Sequence, residues 1–181
     1  GDSRIDICRI NGSSYAYEIK TEYDTFDRLG SQMQDYLRTF EKVYVIVPIG
    51  RVSDVKNLIP ESCGIISYRI TKNREVVFSY QKCAQKNCCD IKFCLDSLSS
   101  GDMSYLLKLL NEKDFKTRAD KRTRLLQIAA TRSIWTPYRK LLRHKYADQW
   151  RFITEHFDQI LPVDIQSFFS SKMDPNLLYA K

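Results

Sequence analysis

The sequence lacks the features that mark several large classes of protein. No apolar run approaches the roughly 20 residues that a membrane-spanning helix needs, and no glycine-rich loop ending in Lys-Ser or Lys-Thr is present. Only two histidines occur, His144 and His156, and neither has a cysteine or serine partner at a meaningful spacing. We therefore expect no membrane partner, no P-loop ATPase and no hydrolase of the Cys-His or Ser-His kind.

The six cysteines do not have the spacing of a structural zinc site. Four of them lie at positions 83, 88, 89 and 94, whereas structural zinc sites use paired C-x2-C motifs. Cys8 and Cys63 fall within strand patterns and are expected to be small apolar core residues. The sequence therefore predicts free thiols.

Positive charge is concentrated in the second half of the chain. The net charge is +7, and the segment from Lys116 to Arg151 holds 11 basic residues against two acidic ones. Such a density attracts polyanions, because phosphate contacts supply most of the non-specific affinity for nucleic acid. A solvated helix face is the alternative interpretation. The candidate nucleic-acid-binding residues are Arg122, Arg124, Arg139 and Arg143.

The apolar pattern predicts an α/β unit followed by helices. Residues 64–70 and 75–80 alternate as the two strands of a hairpin, and residues beyond about 98 have helical spacing. Thr136 and Pro137 are expected to start a helix whose stripe of apolar residues, Tyr138 to Ile160, packs in the core. A short helix and a tail are expected after Pro162.

Two strands near the start of the chain predict a β-hairpin. They flank Asn11-Gly12, the strongest short-range hairpin signal. With a three-residue loop and a left-handed residue at Gly12 or Ser13, the opposed positions sum to 24, and Asp6 lies across from Glu18. A two-residue loop would instead place Asp6 opposite Tyr17, because a slip of one residue turns every side chain to the other face. We favour the first register.

In the favoured register, two carboxylates and a lysine share one face of the hairpin. Asp6 and Glu18 would repel each other unless a cation lay between them, and Lys20 follows Glu18 on the same face. Mg²⁺ prefers such oxygen ligands, and a neighbouring lysine can orient a water molecule. The alternative is a surface hairpin in which Glu18 pairs with Lys20 or Arg4 in solvent.

The helix after the hairpin adds a second motif. Asp24 or Thr25 is expected to cap a helix on which Gln32 and Tyr36 lie one turn apart, and the apolar strand 43–47 follows. Strand with Asp, strand with Glu-x-Lys, helix with Gln-x-x-x-Tyr and buried strand together resemble the PD-(D/E)xK nuclease superfamily, in its RecB-like branch. The whole chain resembles a family of small stand-alone bacterial proteins with this core and a basic helical C-terminal extension.

The resemblance implies a fold and a division of the chain. It implies an α/β restriction-endonuclease-like core, a central mixed sheet flanked by helices, with an all-helical C-terminal appendage. The core would span 1–82, a linker 83–97 and the basic helical extension 98–181. Members of the superfamily usually have a helix before the first motif strand, and the sequence has no initiator Met, so we expect the chain to be a fragment, a processed form or the ordered part of something longer.

The resemblance also implies an activity: a cytoplasmic, Mg²⁺-dependent (or Mn²⁺-dependent) deoxyribonuclease. Asp6, Glu18 and the Ile19 carbonyl would hold the metal, and Lys20 would stabilise charge in the transition state. Gln32 and Tyr36 would complete the catalytic set. The partner would be nucleic acid, with DNA expected. The alternatives are a non-catalytic nucleic-acid-binding or interaction module on a nuclease fold and, more remotely, an RNA-cleaving or toxin nuclease.

Overall fold

The computed structural model describes residues 4–160, which form a mixed α/β fold with a five-stranded sheet flanked by helices. The strands lie side by side in sequence order: β1 (Ile7–Asn11), β2 (Ser13–Ile19), β3 (Lys42–Pro48), β4 (Gly64–Ile70) and β5 (Val76–Lys82). The edge strands β1 and β5 are antiparallel to their neighbours, whereas β2, β3 and β4 are parallel. The expectation of a mixed sheet flanked by helices is confirmed.

The helices fall into two groups along the chain. Two belong to the sheet, α1 (Leu29–Leu37) and α2 (Val52–Lys56), the latter preceded by a 3-10 turn (Ile49–Arg51). The others follow the last strand: α3 (Ile91–Asp96), α4 (Ser100–Leu109), α5 (Arg118–Thr131), α6 (Trp135–Lys145) and α7 (Ala147–Glu155). None of the helices within residues 4–160 is long and apolar enough to cross a membrane.

The register of the first hairpin is the one favoured from the sequence. Ile7 pairs with Tyr17 and Asn11 with Ser13, so the opposed positions sum to 24. Gly12 connects the strands with a φ of +69°. This is the left-handed region, in which a residue without a Cβ atom meets no steric penalty. The register brings Asp6, directly before β1, to the end of β2 that carries Glu18.

One face of the sheet packs against α1 and α2. Helix α1 connects the parallel strands β2 and β3, and α2 connects the parallel strands β3 and β4. Such crossover connections are right-handed, and both advance in the same direction across the sheet, so the two helices lie on the same side of it. Val43, Val45 and Val47 alternate toward that side, where they are fully buried against Leu29 and Met33 of α1. Burial of each of these side chains contributes about 1.5–3 kcal/mol to folding.

The opposite side of the sheet carries a row of aromatic residues. Tyr15, Tyr17, Tyr44, Ile66 and Tyr80 point away from α1 and α2, and we call this side the open face. Within residues 4–160, no helix contributes to the small apolar cluster that these strands form. Tyr80 is 65% exposed.

The helices after β5 have an apolar core of their own. Leu95 of α3, Leu106 of α4, Leu125 of α5 and Leu141 of α6 lie in one buried cluster. Three of these helices begin with side-chain caps, from Asp90 for α3, Ser99 for α4 and Thr117 for α5. Caps of this kind are each worth about 1 kcal/mol.

Four local expectations are wrong. Helix α1 begins at Leu29, and the Asp24 carboxylate instead accepts hydrogen bonds from Thr21. Helix α6 begins one residue before Thr136, whose hydroxyl accepts from Arg139. The predicted core stripe is interrupted at Tyr146, and its members Trp150 and Phe157 are 65% and 69% exposed. Cys8 is exposed on the edge strand β1, although Cys63 is buried. The predicted helix and tail after Pro162 lie outside the described residues.

Candidate functional site

The residues predicted from the two motifs meet around the Glu18 carboxylate at the end of β2. Glu18 is 3% exposed. Its Oε1 accepts hydrogen bonds from Lys20 Nζ and from Gln32 Nε2, each at 2.8 Å, and its Oε2 accepts from Tyr36 Oη at 2.7 Å. Lys20 Nζ also lies 3.2 Å from Gln32 Oε1. We call Glu18, Lys20, Gln32 and Tyr36 the Glu18 cluster.

Local geometry explains why these side chains converge. Residues 18 and 20 point to the same side of β2, because side chains alternate along a strand. Gln32 and Tyr36 are four residues apart on α1, so both project from one side of the helix toward that strand. The crossover from β2 through α1 to β3 then brings the two pairs into contact.

Tyr36 links the cluster to the start of the chain. Its hydroxyl oxygen lies 2.7 Å from Glu18 Oε2 and also 2.7 Å from the Arg4 carbonyl oxygen. Burial raises the pKa of Tyr36, and the hydrogen bond to Glu18 raises it further. The phenol therefore remains a hydrogen-bond donor at neutral pH, and its single proton can go to only one of the two acceptors at a time.

Asp6 lies beside the cluster without a direct bond to its side chains. Its Oδ2 accepts a hydrogen bond of 2.8 Å from the Ile19 N–H, and the residue is exposed. Partial burial raises the pKa of Asp6 above its ordinary value. The Ile19 N–H opposes this shift, and the nearby charge of Glu18 adds to it. The two carboxylates therefore repel each other, as the sequence predicted.

In this arrangement a divalent ion at Glu18 would have to displace hydrogen-bond donors from its carboxylate. Mg²⁺ requires near-octahedral coordination by oxygen. Both Glu18 oxygens are occupied by donors, and the Lys20 ammonium already balances the charge. Among residues 4–160, no group of three or more His, Cys, Asp or Glu side chains could hold a metal ion. The Glu18 cluster is a closed, charge-balanced network that joins α1 to β2.

Three of the four predicted nucleic-acid-binding arginines are engaged in ion pairs. Arg122 binds Asp96 with two nitrogens, Arg124 binds Glu112 at 2.7 Å, and Arg139 binds Glu41 at 3.0 Å. Arg143 is exposed and has no carboxylate within ion-pair distance in the part of the chain that the structure describes. The structure therefore places the four in different environments, and none of them bonds to the side chains of the Glu18 cluster in the described part of the chain.

Glu41 is a buried hub that the sequence did not reveal. Its Oε2 accepts from the Ser14 N–H at 2.8 Å and from Arg139 at 3.0 Å, and its Oε1 lies 3.5 Å from Lys86. Burial alone would raise the pKa of Glu41, but Ser14 and Arg139 outweigh it and hold that pKa below its ordinary value. This carboxylate joins α6 to the first strands of the sheet.

Comparison with known proteins assigns the chain to a different group from the one that its motifs suggested. The model of a protein family described as bacteriophage P4 protein cII matches residues 2–168. The protein named "Protein cII" from Enterobacteria phage P4 is 31% identical over 75 residues, which is 41% of this chain and 28% of that protein. The chain thus matches less than a third of that relative's length. No solved structure matches.

The family match corrects the functional predictions. It is a match to the bacteriophage P4 cII family and not to a PD-(D/E)xK nuclease family. The identification as a RecB-like nuclease, the function as a phosphodiester hydrolase, the assignment as a Mg²⁺-dependent deoxyribonuclease and the related descriptors are therefore wrong. The residues of the strand and helix motifs do meet in the fold, where they form the Glu18 cluster. The protein that contains them nevertheless belongs to another family.

Proposed function

The chain belongs to the bacteriophage P4 protein cII family, and for this member we propose a nucleic-acid-binding function, with duplex DNA as the expected partner. The observation that carries the proposal is the solvent side of α6. This helix contains Arg139, Lys140, Arg143 and Lys145 and no acidic residue. A helix face with one sign of charge attracts a polyanion.

Lys140 and Arg143 are the cations of α6 that remain free to contact phosphate. Both are exposed, and they lie three residues apart on one side of the helix. Within residues 4–160, neither has a carboxylate partner at ion-pair distance. A guanidinium can bind a phosphate with two hydrogen bonds, while a lysine contributes a point charge.

The other two cations of α6 hold the helix in place. Arg139 pairs with Glu41 of the sheet unit at 3.0 Å, and Lys145 pairs with Asp102 of α4 at 2.7 Å. Tyr138 and Leu141, on the inner side of the helix, are buried. Lys140 and Arg143 therefore project from a rigid platform, which limits the conformational entropy lost on binding.

The supporting features favour contacts to the backbone over recognition of bases. Lysine and arginine contacts to phosphate fix the position of a protein on a duplex but carry no sequence information. A non-specific, salt-sensitive affinity is therefore the form of binding that this surface supports. The net charge of +7 adds a long-range attraction.

We further propose a restriction-endonuclease-like connectivity for the sheet unit and a division of the chain at 1–82, 83–97 and 98–181. The hairpin β1–β2 followed by the parallel crossover through α1 supports the connectivity. Separate apolar clusters in the sheet unit and in α3–α6 support the division, although α3 falls within 83–97 and packs with the later helices. An experimental structure would test both, and limited proteolysis that cuts first outside 83–90 would contradict the division.

The test of function measures DNA binding by the double variant Lys140→Ala/Arg143→Ala. With a fluorescent duplex of about 30 base pairs, we expect its affinity to fall roughly tenfold, because two phosphate contacts are lost. Lys56→Ala is the matched control: it removes one exposed cation from α2, far along the chain from α6. Absence of binding by the unmodified protein, or equal affinities of all three proteins, would contradict the proposal.

A further inference from the structure

The β4–β5 hairpin exposes an unusual amount of apolar surface. Phe78 is 59% exposed and Tyr80 65%, and both point to the open face. Val76, on the same side of β5, is 50% exposed, and Ile70 at the end of β4 is 66% exposed. A large contiguous apolar patch on the surface of a protein commonly marks an interaction site.

The aromatic rings continue from β5 across the open face. The Tyr80 ring meets the edge of the Tyr44 ring at 5.8 Å, and Tyr44 stacks on Tyr17 at 5.7 Å with an interplanar angle of 17°. Tyr17 stacks in turn on Tyr15 at 6.3 Å. The guanidinium of Arg9 covers the Tyr15 ring at 4.3 Å from its centroid. Arg9 therefore covers the last ring of the row at the β1–β2 end, whereas the ring of Tyr80 at the β5 end is largely exposed to solvent.

The charged strand residues of this surface are positive, and the carboxylates of Glu22 and Asp24 lie near Tyr68 at its β4 side. On the strands, the residues that point to the open face include Arg9 and Lys42, both close to Tyr15, and no Asp or Glu. The turn of the hairpin carries Lys72 and Arg74 against Glu75, whereas Arg69 and Lys82 pair with residues of the opposite side of the sheet. In the described part of the chain these four cations have no carboxylate within ion-pair distance.

We propose that the β5 end of the open face binds single-stranded nucleic acid, with bases stacked on Phe78 and Tyr80 and phosphates held by Lys72 and Arg74. The inference rests on the proposed nucleic-acid-binding function and adds a second surface to it. Phe78 and Tyr80 are two residues apart, about 7 Å along the strand, so successive bases of an extended chain can each reach a ring. Stacking on an aromatic ring is worth about 1–3 kcal/mol per base and tolerates any sequence.

A second copy of this chain is a weaker candidate for the same surface. Pairing of two β5 edges would bring together two hairpins that each carry four cations and one carboxylate between positions 69 and 82. The edge strand β5 itself carries Lys82, and a lysine on an edge strand is one means by which proteins prevent such pairing. Charge complementarity therefore favours a polyanion with exposed aromatic bases.

The test compares binding of a fluorescent oligothymidylate of about 20 nucleotides with binding of a duplex of similar length. For Phe78→Ala/Tyr80→Ala we expect the affinity for the single strand to fall at least thirtyfold, from about 1 kcal/mol or more per stacked base. Affinity for the duplex should stay within about twofold, since phosphate contacts on α6 do not involve these rings. Val77→Ala, which shortens an exposed side chain of β5 that points away from the open face, should bind like the unmodified protein.

A second measurement needs no variant. Photo-crosslinking of the unmodified protein to an oligonucleotide with 5-iodouracil should label peptides that contain residues 76–82. Crosslinks confined to α6, or an affinity for the single strand that is unchanged by loss of both rings, would overturn the inference while leaving the α6 proposal intact. A shift of Phe78→Ala/Tyr80→Ala from dimer to monomer in sedimentation, with unchanged affinity for the oligonucleotide, would overturn it in favour of a second copy. Failure to bind either nucleic acid would remove the proposed function itself.

Discussion

Replacement of Arg139 by methionine should destabilise the fold through Glu41. The Glu41 side chain is 9% exposed and that of Arg139 18%, so the substitution leaves a buried carboxylate without its main counter-charge. Loss of one partner of a buried pair costs about 3–5 kcal/mol. The Ser14 N–H at 2.8 Å and the exposed Lys86 at 3.5 Å remain. We therefore expect the free energy of unfolding to fall by about 2–4 kcal/mol near neutral pH.

The loss should depend on pH in a defined direction. The pKa of Glu41 is lowered in the folded protein from an ordinary value of 4.5. The stabilisation from a lowered acid pKa is present above the ordinary pKa and is lost as the pH falls through the folded value. The difference between Arg139→Met and the unmodified protein should therefore shrink well below pH 4.5.

Urea unfolding followed by tryptophan fluorescence, near neutral pH and again near pH 3, measures both effects. The control is Arg139→Met/Glu41→Gln, in which a neutral amide oxygen can still accept from Ser14, and it should recover at least half of the lost stability. A loss below about 0.5 kcal/mol, the ordinary range for surface substitutions, would refute the reasoning. So would a loss that is equal at both pH values.

Three further predictions concern the Glu18 cluster and the neighbouring Asp6. Lys20→Met should lower the free energy of unfolding by about 3–5 kcal/mol, because Glu18 is 3% exposed and would keep only neutral donors. Full recovery of the stability should require the second substitution Glu18→Gln, and urea unfolding compares the single and double variants. Asp6→Asn should raise the free energy of unfolding near neutral pH by less than about 1 kcal/mol. The raised pKa of Asp6 stabilises the fold below the ordinary value of 3.8, and this contribution is lost as the pH rises through the folded pKa, so a neutral amide is favoured near pH 7. A gain in stability that persists near pH 3 would contradict the raised pKa. The hydrogen bonds to Glu18 disfavour the binding of Mg²⁺ or Mn²⁺, which the sequence predicted and which has yet to be tested. Titration calorimetry should therefore show no heat of binding at millimolar metal. Saturable binding that is lost in Glu18→Gln would show instead that the cluster opens.

The sequence predicted those parts of the structure that short-range rules determine. The register of the first hairpin followed from Asn11-Gly12 and the length of the loop, and Gly12 adopts the left-handed conformation that the loop requires. The resemblance to the nuclease motifs implied that Glu18, Lys20, Gln32 and Tyr36 lie together, and the alternation of a strand and the periodicity of a helix explain the contacts that they make. Both rules operate over a few residues.

Contacts between distant segments could not be predicted in the same way. Glu41 binds Ser14, 27 residues away, and Arg139, 98 residues away. No local pattern distinguishes such a carboxylate from a solvated one. The break between α6 and α7 at Tyr146 carries neither proline nor glycine, so the periodic stripe gave no sign of it. The openness of one sheet face likewise depends on which helices pack where.

The nuclease prediction was wrong for a related reason. A buried glutamate at the end of a strand requires donors, and a lysine two residues on and a glutamine and a tyrosine on the next helix supply them in this fold. The same residue types at the same spacing resemble a catalytic signature. In this chain, which belongs to the bacteriophage P4 cII family, they form a charge-balanced junction between α1 and β2.

The most direct test of the central claim is the dependence of DNA affinity on salt. For duplex DNA, the slope of log affinity against log salt concentration is negative, and its magnitude decreases by about 0.9 for each phosphate contact that is removed. Between about 50 and 300 mM salt, the unmodified protein should show a steep linear decline in affinity. Lys140→Ala/Arg143→Ala should reduce the magnitude of this slope by about 2. An affinity that is insensitive to salt, or equal slopes for the two proteins, would contradict the proposal that α6 contacts the phosphate backbone.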